Sequence, residues 1–356
     1  MTKNNRPVSS FLSEKNSWKE NDNTVWLSTS LSLFRNINKF NFPGKLTTEK
    51  QKGVVGLITE SLLKKSTSEK FFVCKAEDLG PYDKEYIGER FLSTEGYNQA
   101  HAGEAFILDE KGEFLATINV RDHLHLQLID TRREPEKQWN RLVRMETALG
   151  SSLSYAFSSR YGFLTADRDL CGTAMQMRVF LQLPALIHTE LIDDILNETA
   201  DESIMITGLH GNPTEVVGDI LVVKNNYTLG VTEENIISNI QSFAGKLILK
   251  EYATRKEIKS TQNSEIKDRV SRAYAILIHS YQIEAVEALN ALSLVKLGVD
   301  FGWITGINAA ALNNLFFTCR RAHLLCNFTE EIAQENLAHK RSEFIRESFK
   351  DVRLTI

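Results

Sequence analysis

The sequence predicts an α+β fold followed by an all-helical C-terminal domain. Three observations carry this. Stretches of alternating apolar and polar residues, joined by short turns, recur between residues 25 and 230 and read as strands. The segment 254–268, TRKEIKSTQNSEIKD, is poor in apolar residues and marks a boundary. Beyond it only helical spacing appears, which implies a small bundle. The organisation so read is a flexible N-terminal arm over 1–24, a fold domain over 25–253, a linker over 254–268 and a helical domain over 269–356.

Bulk properties narrow the class. A chain of 356 residues exceeds what one small domain needs, and its 42% hydrophobic and 25% charged residues are ordinary for a globular protein. The net charge of −4 lacks the general basicity of a nucleic-acid binder. No run of about 18 apolar residues is present, so no membrane span is expected. The polar start MTKNNRPVSS has no apolar core of a signal peptide, and a cytoplasmic location is expected. Cys74, Cys171, Cys319 and Cys326 are too scattered for a disulfide framework or a zinc site, and read as free thiols.

The elements follow in order. Val25 to Ile37 alternates as a strand. Thr48 to Lys65 carries Val54, Val55, Leu57, Ile58, Leu62 and Leu63 at helical spacing. Glu104–Leu108 and Phe114–Asn119 are strands joined by a turn with Gly112 available for positive φ. Asp122 to Ile129 alternates again. Trp139 to Phe157 has helical spacing. Tyr161 to Leu186 then forms the organising stretch: a strand over Gly162–Thr165, a polar loop over Ala166–Thr173, and a half-buried strand over Gln176–Leu183 that stops at Pro184. Thr189–Asn197 is a short helix, and Ser203–Gly208 and Gly218–Val223 are strands. Thr232 is an N-cap with Glu233 and Glu234 in the first turn. Helices over Ile276–Leu294, Asn308–Asn327 and Thr329–Phe349 complete the pattern.

Several of these residues also form ordered motifs. They are Asn119 with Asp122-His123-Leu124, Tyr161-Gly162-Phe163-Leu164-Thr165, Gly172-Thr173, Leu183-Pro184-Ala185-Leu186, and Gly208-Leu209 with Gly211. LSLVKLGVDFG over Leu292–Gly302 adds a further marker. From about Val25 onward the chain resembles the bacterial protein-arginine kinases (McsB type) of the ATP:guanido phosphotransferase, or phosphagen kinase, family. The resemblance implies a large antiparallel sheet flanked by helices that holds ATP and Mg²⁺. It also implies a helical C-terminal domain that dimerises and regulates, and a small zinc-binding partner of the McsA type.

In that family several arginines clamp the phosphates, with planar bidentate bonds that Ser or Gln cannot reproduce. Carboxylates hold the guanidinium substrate. Matched residue by residue, the charged positions here are altered. The first clamp segment is Ser28-Thr29-Ser30-Leu31-Ser32, with Ser30 and Ser32 where the family has arginines. Val120 and Arg121 stand at an acidic pair, and His125 at an arginine. Gln176 and Thr207 also replace arginines, Asn212 replaces a glutamate, and Asp167 holds the family's loop cysteine position. One lost transition-state donor costs about 2.7–4 kcal/mol, and losses that act as a unit do not simply add. The reading that follows is a pseudokinase that needs no cofactor and serves as a protein-interaction or regulatory module, probed first at these degenerate positions.

Other readings rest on particular residues. Arg178 shares a strand face with Gln176 and either supplies a displaced guanidinium or makes a surface ion pair. With His125 it would serve a still-active kinase using ATP and Mg²⁺ in a rebuilt site. Asp167 and Asp169 would make a non-catalytic guanidino-binding module, against a solvated loop. His123 and His125 share a strand face but lack a third metal ligand, so a half-exposed face is the plainer expectation. Cys171 reads as packing. Phe91 stands near a family histidine that touches the nucleotide. At the family's phosphoarginine-binding motif only Arg341 persists, on an amphipathic helix expected to expose Lys340, Arg341 and Arg346.

Overall fold

The structure is a computed structural model, and it describes Val8, Leu12 and residues 17–65, 69–328 and 332–356. In chain order the main elements are β1 (Trp26–Arg35), α1 (Thr48–Lys65), β2 (Phe71–Lys75), α2 (Pro81–Arg90), β3 (Ala105–Asp109), β4 (Phe114–Ile118), β5 (Leu124–Asp130) and α3 (Pro135–Gly150). Then come β6 (Phe157–Ser158), β7 (Gly162–Phe163), β8 (Met175–Gln182), α4 (Pro184–His188), α5 (Ile192–Glu198), β9 (Ile204–Gly208) and β10 (Ile220–Asn225). The remainder is helical: α6 (Glu233–Thr261), α7 (Ser264–His279), α8 (Ala285–Phe301), α9 (Ala309–Thr318), α10 (Arg321–Leu325) and α11 (Leu337–Ser348), with a small ladder of β11 (Ile304–Thr305) and β12 (Arg353–Leu354). Eight strands order as β2-β3-β4-β5-β1-β8-β10-β9. The pairs β2–β3, β3–β4, β4–β5 and β1–β5 are antiparallel. No described helix is long and apolar enough to cross a membrane.

The chain divides into two compact units, and each is taken by itself. The first comprises the described residues of Met1–Ser17, Ser28–Arg178 and Lys224–Ile240. Its core is built from the inward residues of the strands: Leu31 and Leu33 on β1, Phe106 and Leu108 on β3, Leu126 and Leu128 on β5, all buried. Helix α3 covers β5, and α1 packs against α3 and β4. Pro135 opens α3 at a position where its missing N–H costs nothing, so the helix starts before the expected Trp139 and ends at Gly150 rather than Phe157.

The second unit comprises the described residues of Trp18–Leu27, Val179–Val223 and Gln241–Ile356. Helices α7 and α8 form its main pair, with α9 and α4 on α8 and α11 on α7. Lys296 of α8 is buried and donates to Asn313 Oδ1 at 2.6 Å and Gln182 Oε1 at 2.9 Å. Asn313 in turn donates to the carbonyls of Asn21 and Asn23.

Several expectations are corrected. The arm over 1–24 is not free from residue 17 onward: Trp18 is buried and stacks on Phe317 with ring centroids 3.9 Å apart, and Val8 and Leu12 are buried. Residues 1–7, 9–11 and 13–16 of that expected arm lie outside the described residues. The expected linker 254–268 is helical except at Gln262 and Asn263. Few but buried side chains sustain it: Ile258 and Ile266 are buried, Arg255 is buried and bonds Glu251 one turn back at 2.7 Å, and Asn263 caps α7 through Glu265 N and Ile266 N. Gly162–Phe163 is not a strand of the main sheet; it pairs with Phe157–Ser158 in a separate hairpin. Strand β8 is buried on both faces rather than half-buried. The single helix expected over Asn308–Asn327 breaks at Cys319 and Arg320, and the start of the expected Thr329–Phe349 helix lies outside the described residues.

Candidate functional site

The site lies in the first unit and is built on period-2 geometry. Ser28, Ser30, Ser32 and Phe34 share one face of β1, and the register sets Ser32 opposite Gln127 and Phe34 opposite His125 on β5. His125 stacks on Phe34 at 4.3 Å, and its Nε2 lies 3.0 Å from Ser32 Oγ. Gln127 Nε2 donates to Ser30 Oγ at 2.8 Å and to the Phe91 carbonyl at 2.9 Å. Arg178 of β8 donates to Ser30 Oγ at 3.4 Å and to the Leu92 carbonyl at 3.1 Å. Ser28, Ser30, Ser32, His125, Gln127 and Arg178 are each no more than 7% exposed.

What covers this polar face is the turn after α2. Helix α2 ends at Arg90, and its next two carbonyls, those of Phe91 and Leu92, accept from the face. Leu92 sits at φ 49°, a region a bulky side chain rarely adopts, and this aims its carbonyl at the guanidinium of Arg178. Phe91 is fully buried. The half-exposed strand face expected for His125, and the surface ion pair expected for Arg178, are thereby corrected.

Electrostatics follow from burial. Burial, then the charges of Arg178 and Arg121, push His125 down to about 3, so it is a neutral ring at pH 7. Burial raises the Glu95 carboxyl, against the pull of Arg178 and Arg121. Burial lowers the Lys224 ammonium, with Arg178 adding to the effect. Ser28 Oγ, His125 Nδ1, Gln127 Oε1 and Glu95 Oε2 have no hydrogen-bond partner among the described residues.

The rim of the site is the turn between β4 and β5 together with the loop 166–173. Asn119, at φ 63°, ties the turn down by donating to the Gln51 and Gly103 carbonyls. Asp122 is buried, and its Oδ1 accepts from Asn36 Nδ2 at 2.5 Å and Ala166 N at 2.6 Å. Burial raises its carboxyl, opposed by those two bonds. The loop frame needs glycine at two points. Gly172, at φ 118°, would place a Cβ 2.2 Å from the Thr228 carbonyl, and Gly162, at φ 68°, 2.4 Å from the Gly172 carbonyl. Within the loop, Asp167 Oδ1 accepts from Asp169 N at 3.1 Å, while Oδ2 takes Arg121 Nη2 at 2.5 Å. Asp169 does not join Asp167 in a two-carboxylate pocket: it is 81% exposed, 3.8 Å from Arg168. Cys171 Sγ lies 3.4 Å from Thr165 Oγ1.

Other sequence-derived positions fall elsewhere. Val120 is half-buried beside Arg121, and Gln176 half-buried at the start of β8. His123 is buried with Nδ1 accepting from Ile37 N at 3.1 Å, a structural bond rather than a ligand position. Among the described residues no three His, Cys, Asp or Glu side chains cluster as a metal site. In the second unit, Thr207 is buried on β9, and exposed Asn212 closes a local turn by accepting from Thr214 N and Oγ1. Arg341, expected to be exposed, is buried, donating to the Cys319 and Ile283 carbonyls at 2.8 and 2.9 Å.

Gln127 and Glu95 were not singled out from sequence. Gln127 had a signal: it lies two residues beyond His125 on one strand, hence on the same face. Glu95 sits in an irregular turn and offered none.

Comparison with known proteins places this geometry. The family model for the ATP:guanido phosphotransferase C-terminal catalytic domain matches residues 54–254. The model for the protein-arginine kinase McsB C-terminal domain matches 263–355. The protein-arginine kinase of Chlamydia pneumoniae is 33% identical over 335 residues, covering 92% of each chain. That of Halothermothrix orenii is 30% identical over 322 residues, covering 90% of this chain and 92% of the relative. Among solved structures, the fold is similar to lombricine kinase (TM-score 0.55, 18% identity, 69% of this chain and 70% of that one). It is also similar to the duplicated taurocyamine kinase of Schistosoma mansoni (TM-score 0.56, 21% identity, 64% of this chain and 33% of that one). The motif matches, the sheet and these relatives agree, and the chain belongs to the protein-arginine kinase group of the ATP:guanido phosphotransferase family.

Proposed function

We propose that this chain is a non-catalytic member of its family, a pseudokinase that works as a protein-interaction or regulatory module. One observation carries the reading. Of the strand positions that match the family's phosphate clamp, Ser30, Ser32 and His125 are buried and bonded to the chain's own side chains, beneath a turn whose Leu92 carbonyl holds Arg178. Phosphoryl transfer needs cationic forks presented to phosphate oxygens in an open site. Here Ser30 and Ser32 offer none. The guanidinium of Arg178 is spent on the Leu92 carbonyl and Ser30, with the charge of Glu95 close by. His125 is a neutral ring beneath that cover. Val120, Arg121 and Asn212 provide no carboxylate to orient a guanidinium.

The competing reading, an active protein-arginine kinase with a rebuilt nucleotide site, draws on what the relatives are called. Calorimetric titration of the full chain with ATP and Mg²⁺ separates the two, together with an assay for phosphoarginine on an arginine-rich test protein. The pseudokinase reading expects no saturable heat up to about millimolar ATP and no phosphoarginine. As parts of the same proposal, residues 269–356 pair two copies of the chain, and a small zinc-binding protein of the McsA type is a partner.

A further inference from the structure

We propose that Arg121 is an autoinhibitory contact: an internal guanidinium that occupies the Asp167 carboxylate and so keeps the loop 166–173 from taking a guanidinium from outside. The inference rests on reading the site as one that binds rather than catalyses.

The carboxylate is oriented without Arg121. Asp167 Oδ1 caps the turn at Asp169 N, and Thr165 Oγ1 donates to the Asp167 carbonyl at 2.6 Å. Only Oδ2 is left for a ligand, and Arg121 Nη2 fills it. The loop root is fixed independently, through Ala166 N on Asp122 Oδ1. A site prepared in this way accepts a guanidinium without ordering the loop anew.

A second observation points to the same cationic chemistry. Asp122 is 1% exposed, and its Oδ2 has no partner among the described residues. It lies within the electrostatic reach of both Arg121 and Asp167. Glu95 feels the charge of Arg121 as well, and its Oε2 likewise lacks a partner among the described residues. Arg121 is thus the cation that Asp167, Asp122 and Glu95 have in common. Both members of the contact reach solvent, Arg121 at 48% and Asp167 at 29%, so the pair exchanges with competitors.

The test titrates free L-arginine, without nucleotide, into the full chain as wild type, Arg121→Ala, Arg121→Gln, and Arg121→Gln with Asp167→Asn. Both single variants are expected to bind arginine about 3- to 10-fold more tightly than wild type, the weight of a displaced exposed ion pair plus a removed like charge. The double variant is expected to lose that gain. Arginine binding in both single variants no tighter than in wild type overturns the proposal, and so does a gain that survives Asp167→Asn. Thermal melts of each variant identify any that fails to fold, and Arg121→Gln keeps the length and polarity of the side chain. Because no ATP is present, failure here leaves the nucleotide result standing, and the reverse also holds.

Discussion

Two arginines of the first unit occupy comparable ground and behave oppositely. Arg178 sits on the strand platform, 7% exposed, bonded to a carbonyl and a hydroxyl. Arg121 sits on the rim, 48% exposed, paired with Asp167. One part of the site is thus held by burial, the other by a solvent-reached ion pair. A buried guanidinium has surrendered its water, and removing it strands whatever it balanced, at a cost of about 3–5 kcal/mol. An exposed ion pair is worth about 0–1 kcal/mol and is screened by salt. The platform is therefore part of the core, while the rim is adjustable.

The largest expected effect follows directly. Arg178→Ala should destabilise the chain by about 3 kcal/mol or more, because the Leu92 carbonyl loses its donor and half-buried Glu95 the stronger of the two cationic charges acting on it. Urea unfolding measures this. A loss below about 1 kcal/mol would show that the platform is open to water and would erase the contrast with Arg121.

A pH experiment sharpens the same contrast. The folded value of His125, about 3, lies below its ordinary 6.5. The unfolded chain therefore binds the extra proton first. The stability this neutral ring carries is complete above pH 6.5 and is lost as pH falls from 6.5 toward 3. Glu95 and Asp122, raised by burial above 4.5 and 3.8, act with the opposite sign, losing stability as pH rises through that range. Comparing wild type with His125→Gln isolates the histidine. Between pH 7.5 and pH 5, wild type should lose about 2 kcal/mol more than the variant. Parallel pH profiles would mean that His125 is solvated.

The smallest expected effect is at the rim. Arg121→Gln should change unfolding stability by no more than about 1 kcal/mol. A loss as large as that of Arg178→Ala would make the rim as structural as the platform.

Much of the frame was legible in the residues. Alternation in Val25–Ile37 and Phe114–Asn119, and helical spacing in Thr48–Lys65, gave β1, β4 and α1 nearly to their ends, because side-chain period reports which face is buried. Gly162 and Gly172 marked a loop frame that only glycine can build. The covering of the platform was not legible. It depends on two backbone carbonyls, those of Phe91 and Leu92, and on a positive φ at Leu92, none of which leaves a trace in side-chain pattern. Ser30 and Ser32 are thus polar residues satisfied in the dry. The Arg121–Asp167 pair spans 46 residues with no local signal. The helix through 254–261 hid for a different reason: its buried face includes Arg255, held by Glu251 and Asp300, so charge stood where apolar residues were sought.

A platform covered by the Phe91–Leu92 turn should be closed to nucleotide. Calorimetric titration of the wild-type chain with ATP and Mg²⁺ tests it most directly. No saturable binding is expected up to about millimolar ATP. Saturable, Mg²⁺-dependent binding at micromolar ATP, weakened by Arg178→Ala in a chain that remains folded, would contradict it.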